Sequence, residues 1–221
     1  MTPAPMNAKS ADTLKGLTEQ GPVLVRSHVS PEEIRALSFC MGTKDFARYR
    51  PLISDRESLI RAASARDTNV TLAIEEGKRI VGAGILEPPR GEDRWSRLGK
   101  DVMMEVSIIE MGRPWRGRKL AEHILRLLAD HPARESRILY MVGYSWTWDL
   151  DGSGLTAMAY RDMLIRLFTG EGFRIFQTND PNVTLRPENL FMARVGADVP
   201  EAVQKRFKWA RFGLDPNPAD R

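Results

Sequence analysis

The stretch EVSIIEMGRPWRGRKLAEHILRLL, residues 105–128, contains a change of periodicity. Its first seven residues, 105–111, alternate largely as in a β-strand, and apolar residues then recur at helical spacing from Leu120 onward. Between the two patterns lies a short turn of glycine, proline and arginine. The stretch therefore predicts a strand that leads into a helix through a basic turn.

The basic turn is suited to an anion. A strand followed by a glycine-containing turn and a helix presents unpaired backbone N–H groups and the positive end of the helix dipole. The turn also carries the cations Arg113, Arg116, Arg118 and Lys119. Because cations are unfavourable at a helix N-terminus, we expect a ligand with several negative charges, such as a pyrophosphate. A solvated helix start that binds nothing is the alternative.

Other nucleotide-binding signatures do not fit this stretch. The sequence has neither G-x-x-x-x-G-K-[ST] nor a G-x-G-x-x-G that follows a strand. P-loop and Rossmann sites are therefore not expected.

The composition is that of one soluble globular domain. The chain has 221 residues, of which 42% are hydrophobic and 28% charged, and its net charge is +4. This charge favours anionic ligands mildly and does not indicate nucleic acid. We expect a flexible N-terminal arm at 1–20 and a single domain at 21–221 that ends in a short helix.

Metal, disulfide and membrane functions are not expected. Cys40 is the only cysteine, and His28, His123 and His131 lack the spacing of metal ligands. The sequence shows neither a signal peptide nor an apolar run long enough to span a membrane. We expect a cytoplasmic protein, monomeric or homodimeric, with no metal, membrane or nucleic-acid partner.

Periodicity and turn residues predict a mixed α/β fold. Ser30 and Glu33 form a helix N-terminal capping signature, and residues 76–78 form a tight turn between two strands. Strands are predicted at 22–29, 70–75, 79–86, 102–111, 137–144, 173–178 and 190–196, and helices at 30–39, 54–65, 117–131, 154–172 and 200–212.

The segment WRGRKLAEHIL, residues 115–125, resembles the central motif of the GCN5-related N-acetyltransferases. In that family an R/Q-x-x-G-x-G/A turn holds the pyrophosphate of acetyl-CoA. Here Pro114 stands at the usual Arg/Gln position and Lys119 at the second glycine. The resemblance implies acetyl-CoA as co-substrate. It also implies a mixed, mostly antiparallel sheet of six to seven strands with helices on both faces.

A narrower resemblance lies further along the chain. The run YSWTWDLDGSGLTAMAYRDMLIRLF at 144–168, with TNDPNV at 178–183 and NLFMARVGADVP at 189–200, is similar to the acetoin-utilisation acetyltransferases. That subgroup acetylates a lysine of acetyl-CoA synthetase and so switches the synthetase off. The resemblance extends over roughly residues 22–212. It implies a protein lysine N-acetyltransferase whose partner is acetyl-CoA synthetase.

Acetyl transfer to lysine requires a base, because an amine with a pKa of about 10.4 is almost entirely protonated at neutral pH. Glu105 lies among apolar residues on the strand before the turn, where desolvation would raise its pKa toward neutrality. Its position is also close to that of the glutamate base in the wider family. An ordinary strand glutamate is the alternative. Glu110 ranks second because its odd spacing from Glu105 directs it to the opposite face unless a bulge intervenes.

The acid that protonates the leaving thiol is less obvious. In the wider family a tyrosine four residues before a Gly-Phe pair often supplies it, and Phe168 stands there in this chain. Tyr144 and Tyr160 are the available phenols. We expect Tyr144, since it ends a strand and strand ends face the ligand crevice in α/β sheets. A purely structural hydrogen bond is the alternative for either tyrosine.

The remaining site residues follow from the turn and from the aromatic run. Backbone N–H groups near 109–111 are the oxyanion donors that the resemblance implies. Trp146, Trp148 and Asp149 are expected to face the acceptor substrate. The expected cofactor-binding residues are Ile109, Glu110, Met111, Arg113, Arg116, Gly117, Arg118, Lys119, Leu120 and Ala121.

Two other functions stay open at this point. The same turn would serve an acetyltransferase for a small amine. It would also serve a non-catalytic acyl-CoA sensor, which Lys119 and the missing family tyrosine allow.

Overall fold

A computed structural model describes residues 11–14, 22–41, 49, 51–89, 91, 93–99, 101–131 and 133–214, with side chains from residue 22 onward. The strands are β1 (Ala11–Leu14), β2 (Val23–Arg26), β3 (Ser38–Phe39), β4 (Asn69–Glu75), β5 (Arg79–Glu87), β6 (Met103–Met111), β7 (Ile138–Gly143), β8 (Arg174–Ile175) and β9 (Leu190–Val195). The helices are α1 (Pro31–Arg35), α2 (Arg56–Ser64), α3 (Leu120–Ala129), α4 (Leu150–Ser153), α5 (Ala157–Thr169), α6 (Pro181–Thr184) and α7 (Glu201–Ala210).

The chain forms two compact units. The first comprises Met1–Phe46, Pro51–Leu86 and Ile108–Leu128, and the second comprises Ala47–Arg50, Glu87–Ser107 and Ala129–Arg221. Strand β6 contributes its first half to the second unit and its last residues to the first.

The first unit is built on antiparallel strands in the order β1-β2-β4-β5, and β3 adds to β5 in parallel. Glu76 and Gly77 join β4 to β5 with φ angles of 50° and 69°. Lys78 N donates to Glu75 O at 2.9 Å across them. Two left-handed residues in this arrangement form a hairpin turn that matches the twist of the strands. The predicted hairpin is confirmed.

The first helices begin where their capping residues predict. Ser30 Oγ accepts from Glu33 N at 3.3 Å, and Glu33 Oε2 accepts from Ser30 N at 2.9 Å. This reciprocal pair satisfies two N–H groups at the start of α1. Asp55 caps α2 in the same way, since its Oδ1 accepts from Ser58 N at 2.8 Å.

Helix α3 packs closely on β5 because Gly84 lacks a side chain. A Cβ at Gly84 would lie 2.4 Å from Ile124 Cγ2 and 2.7 Å from Leu128 Cδ1. Ile124 and Leu128 are fully buried, and Leu120 and Leu127 are almost fully buried. The predicted apolar face of the helix is therefore confirmed. His131, the last residue of the predicted helix 117–131, lies beyond the observed end at Ala129.

The second unit has the strand order β6-β7-β9-β8, in which only the β6–β7 pair is parallel. Its core is aromatic. Trp95 stacks on Phe191 with ring centroids 4.7 Å apart, and Tyr140 and Phe207 pack around this pair. Phe207 brings α7 onto the core, as the predicted C-terminal helix requires.

The predicted fold class, a mixed and mostly antiparallel α/β fold, is confirmed. In the part of the chain that the structure describes, the number of strands is nine rather than six to seven. The additional strands include β1, which falls within the N-terminal arm, and the two-residue β3. Segments this short carry no periodic pattern, so the sequence does not predict them. Within the described residues, no helix is long and apolar enough to cross a membrane.

Candidate active site

The basic turn begins at Gly112, which is buried directly after β6. A Cβ at this position would lie 2.9 Å from the Trp115 ring and 3.1 Å from Met41 O. Trp115 N donates to Gly112 O at 2.9 Å and closes a single 3₁₀ turn at Arg113–Trp115. Only glycine allows the chain to turn this tightly against its neighbours.

Trp115 fixes the turn to the sheet of the first unit. Its indole Nε1 donates to Glu75 Oε1 at 3.0 Å. Glu75 is completely buried, and its other oxygen lies 2.7 Å from Arg79 Nη2. A buried carboxylate with both an indole and a guanidinium partner holds the turn rigidly.

The second half of the turn has two left-handed residues before α3. Gly117 has a φ of 73° and Lys119 a φ of 59°. A Cβ at Gly117 would meet nothing within 4 Å, so this part of the turn is open. Lys119 O accepts from His123 N at 3.2 Å and thus starts the helix. Lys119 therefore has a backbone conformation that glycine adopts more readily than lysine.

The predicted cations lie on the residues of this turn. Arg113 and Arg118 are half-buried, and Lys119 is exposed. Arg116 Nε donates to Met111 O at 3.2 Å, which holds that side chain along the turn. The first N–H groups of α3 have no acceptor within the helix. Backbone donors and guanidinium groups in this arrangement suit a phosphate-containing ligand.

Glu110, the second candidate for the base, is buried and serves the first unit. Its Oε2 accepts from Ile53 N at 2.9 Å. Ile53 is 1% exposed, and this bond ties the segment before α2 to β6. A buried carboxylate that holds a backbone N–H has a structural role of its own.

Glu105 lies in the second unit, half-buried near the start of β6. It is directly opposite Tyr140 of β7 in the parallel pair. Tyr140 Oη donates to Glu105 Oε2 at 3.1 Å. Sequence reasoning did not single out Tyr140, since the pairing of β6 with β7 has no local signal.

Tyr144 follows β7 directly and is half-buried. Burial, followed by the charges of Asp180 and Glu105, raises the pKa of Tyr144 to about 12. The phenol is therefore protonated at neutral pH, and it is a weaker acid than an ordinary tyrosine. Its ring stacks on Trp146 with centroids 4.8 Å apart.

The predicted substrate-facing residues occupy different environments. Trp146 is 46% exposed, and the Arg186 guanidinium lies 5.7 Å from its ring centroid. Trp148 is half-buried and stacks on Tyr160 at 5.1 Å. Asp149 is 1% exposed, and its Oδ1 accepts from Gly152 N at 2.9 Å to cap α4. Of these three predicted residues, Trp146 presents the largest open surface.

The fold is mixed and mostly antiparallel, as the resemblance to the GCN5-related N-acetyltransferases implies. In chain order, β6 is followed by the basic turn with its left-handed residues Gly117 and Lys119, and then by α3. This order of strand, turn and helix is the one that the resemblance implies.

The chain is similar to acetoin utilization proteins. It is 29% identical to the acetoin utilization protein AcuA of Bacillus licheniformis over 195 residues, which are 88% of this chain and 91% of that protein. AcuA of Bacillus subtilis strain 168 is 28% identical over the same coverage. The crystal structure of an acetoin utilization protein from Exiguobacterium sibiricum superposes with a TM-score of 0.82 at 25% identity, with 95% of this chain and 97% of that one covered. No family model matches the chain.

Proposed function

We propose that this protein transfers the acetyl group of acetyl-CoA to a lysine side chain of an acceptor protein. The proposed acceptor is acetyl-CoA synthetase. The basic turn carries the proposal. It has a left-handed backbone at Gly117 and Lys119 and carries several cations. The first N–H groups of α3, which follow directly, have no acceptor within the helix. The pyrophosphate of a coenzyme A thioester has the charge and size for such a turn.

Three groups perform the chemistry in this proposal. Glu105 removes a proton from the lysine ammonium, so that the neutral amine attacks the thioester carbonyl. Backbone N–H groups near 109–111 stabilise the oxyanion of the tetrahedral intermediate. As the intermediate collapses, the attacking nitrogen releases its remaining extra proton to solvent, the C–S bond breaks and Tyr144 protonates the departing thiolate.

The similarity to acetoin utilization proteins along nearly the whole chain supports the choice of acceptor. A protein acceptor also agrees with the open character of the aromatic surface. Trp146 is exposed beside Arg186, and an exposed indole is typical of residues that contact another protein.

The test mixes the protein with radiolabelled acetyl-CoA and a panel of purified acceptors. The panel contains acetyl-CoA synthetase, the synthetase with its acceptor lysine changed to arginine, an unrelated lysine-rich protein and a polyamine. We expect label on the unmodified synthetase alone. We also expect Glu105→Gln to lower kcat/KM by about 100-fold or more, since a general base contributes that much.

Each other result has a defined meaning. Label on the polyamine and on no protein would replace the proposal with a small-amine acetyltransferase. Acetyl-CoA binding without label on any acceptor, unchanged in Glu105→Gln, would indicate a sensor. An Arg116→Glu variant controls for the cofactor, because reversal of one charge in the turn should weaken acetyl-CoA binding in a calorimetric titration.

A further inference from the structure

We propose that Tyr140 is a positioning residue for Glu105: its buried phenol fixes the carboxylate that accepts the proton and favours the ionised form of that carboxylate. This inference rests on the proposed function, in which Glu105 is the base. It adds a residue that the sequence pattern does not indicate.

The geometry of β6 and β7 creates the contact. Glu105 and Tyr140 are paired residues of adjacent parallel strands, so their side chains leave the sheet on the same side. The Tyr140 hydroxyl donates to Glu105 Oε2 at 3.1 Å. A hydrogen bond between paired strands holds both groups against a rigid backbone.

The packing of the tyrosine ring makes the donor immobile. Tyr140 is 1% exposed. Its ring centroid lies 5.6 Å from that of Trp95 and 5.9 Å from that of Phe191. A phenylalanine would fill the same space in this aromatic core. The hydroxyl therefore serves the carboxylate, not the packing.

The charges near this pair explain why a donor is useful there. Glu87 and Asp93 add negative potential around Tyr140, and the charge of Glu105 also acts on Tyr144. Burial, and after it Glu105, raises the pKa of Tyr140, so the phenol stays protonated and donates over the whole working range. A hydrogen bond to a carboxylate favours its charged form and opposes the effects of burial and like charge.

The direct test follows the Glu105 carboxyl in Tyr140→Phe. The protein is labelled with ¹³C at glutamate side chains, and the Glu105 signal is identified by its loss in Glu105→Gln. We expect the titration midpoint of Glu105 to move upward by about one pH unit in Tyr140→Phe, the size expected when a charged hydrogen bond is lost. An unchanged midpoint would overturn the inference, and this result does not depend on any acceptor.

A double-mutant cycle separates positioning from a structural role. With acetyl-CoA synthetase as acceptor, Tyr140→Phe should lower kcat/KM about tenfold and move the acid limb of its pH profile to higher pH. The KM for acetyl-CoA should not change. In a Glu105→Gln background the same substitution should cause no further loss, because Tyr140 acts through Glu105.

The failure of this inference differs from the failure of the proposed function. Equal losses from Tyr140→Phe in both backgrounds, with an unmoved acid limb, would reduce Tyr140 to a packing residue while Glu105 remains the base. Full activity in Glu105→Gln would instead remove the base assignment, and with it the role of Tyr140.

Discussion

At the scale of single residues, Lys119 combines a left-handed backbone with a positive side chain. A φ of 59° is unfavourable for lysine, by about 1 kcal/mol relative to glycine. Strain of this kind persists where the surrounding structure and function require it. The expected benefit is a cation beside the open backbone of Gly117, where an anionic ligand would lie.

Lys119→Gly should therefore weaken the binding of acetyl-CoA and leave the stability of the protein nearly unchanged. We expect its free energy of unfolding to stay within about 1 kcal/mol of the wild-type value, because relief of strain offsets the flexibility of glycine. We expect the Kd for acetyl-CoA to rise several-fold and its salt dependence to weaken, as one charge contact is lost. Calorimetric titration at two salt concentrations measures the Kd and its salt dependence.

Lys119→Asn is the matched control for this substitution. Asparagine tolerates the left-handed conformation and carries no charge, so its binding defect should equal that of Lys119→Gly. Wild-type affinity in both variants would show that the lysine charge does not contact the ligand.

At the scale of elements, the contact between β5 and α3 depends on Gly84. A Cβ there would approach Ile124 Cγ2 to 2.4 Å, and both groups are attached to regular backbone. The close approach sets the position of α3, and α3 in turn carries the N–H groups of the basic turn.

Gly84→Ala should destabilise the protein by about 1–3 kcal/mol, the usual cost of overpacking a core. Urea unfolding measures the change. Gly91→Ala is the control, since a Cβ at Gly91 meets nothing within 4 Å. Its free energy of unfolding should be unchanged. A Gly84→Ala protein as stable as the control would mean that α3 shifts without cost.

At the scale of the whole molecule, stability should depend on ionised carboxylates. The Ala197 N–H, and then Arg194, hold the pKa of Glu135 below its ordinary value of 4.5. Hydrogen bonds from Ser58 lower the pKa of Asp55, and a backbone hydrogen bond lowers that of Glu32. A carboxyl whose pKa falls on folding stabilises the protein above its unfolded-state pKa and loses this effect as pH falls through the folded-state pKa.

The free energy of unfolding should thus be constant near neutral pH and decline below about pH 4.5, where these groups take up protons. Chemical unfolding at a series of pH values measures the decline. Glu135→Gln should reduce its slope, because glutamine has no proton to gain. An identical slope in wild type and variant would mean that Glu135 is equally easy to protonate in the folded and unfolded states.

Prediction from sequence succeeded where the decisive contacts are local. The capping box of Ser30 and Glu33, the hairpin turn at Glu76 and Gly77, and the buried face of α3 each involve residues a few positions apart. The basic turn after β6 is equally local, so its position and its glycine were readable in advance. The short strands β1 and β3 were not, because pairing with distant strands defines them.

The amino-acid sequence by itself determined the mixed α/β class and the basic turn, and it made Glu105 the first candidate for a base. Only the tertiary structure decided that Tyr140 holds Glu105, that Glu110 binds Ile53 N and that Lys119 takes a glycine-like conformation. The physical reason is the separation in the sequence between the residues that interact. Periodicity and capping act within one element, whereas strand pairing and packing depend on residues that meet only after the chain has folded.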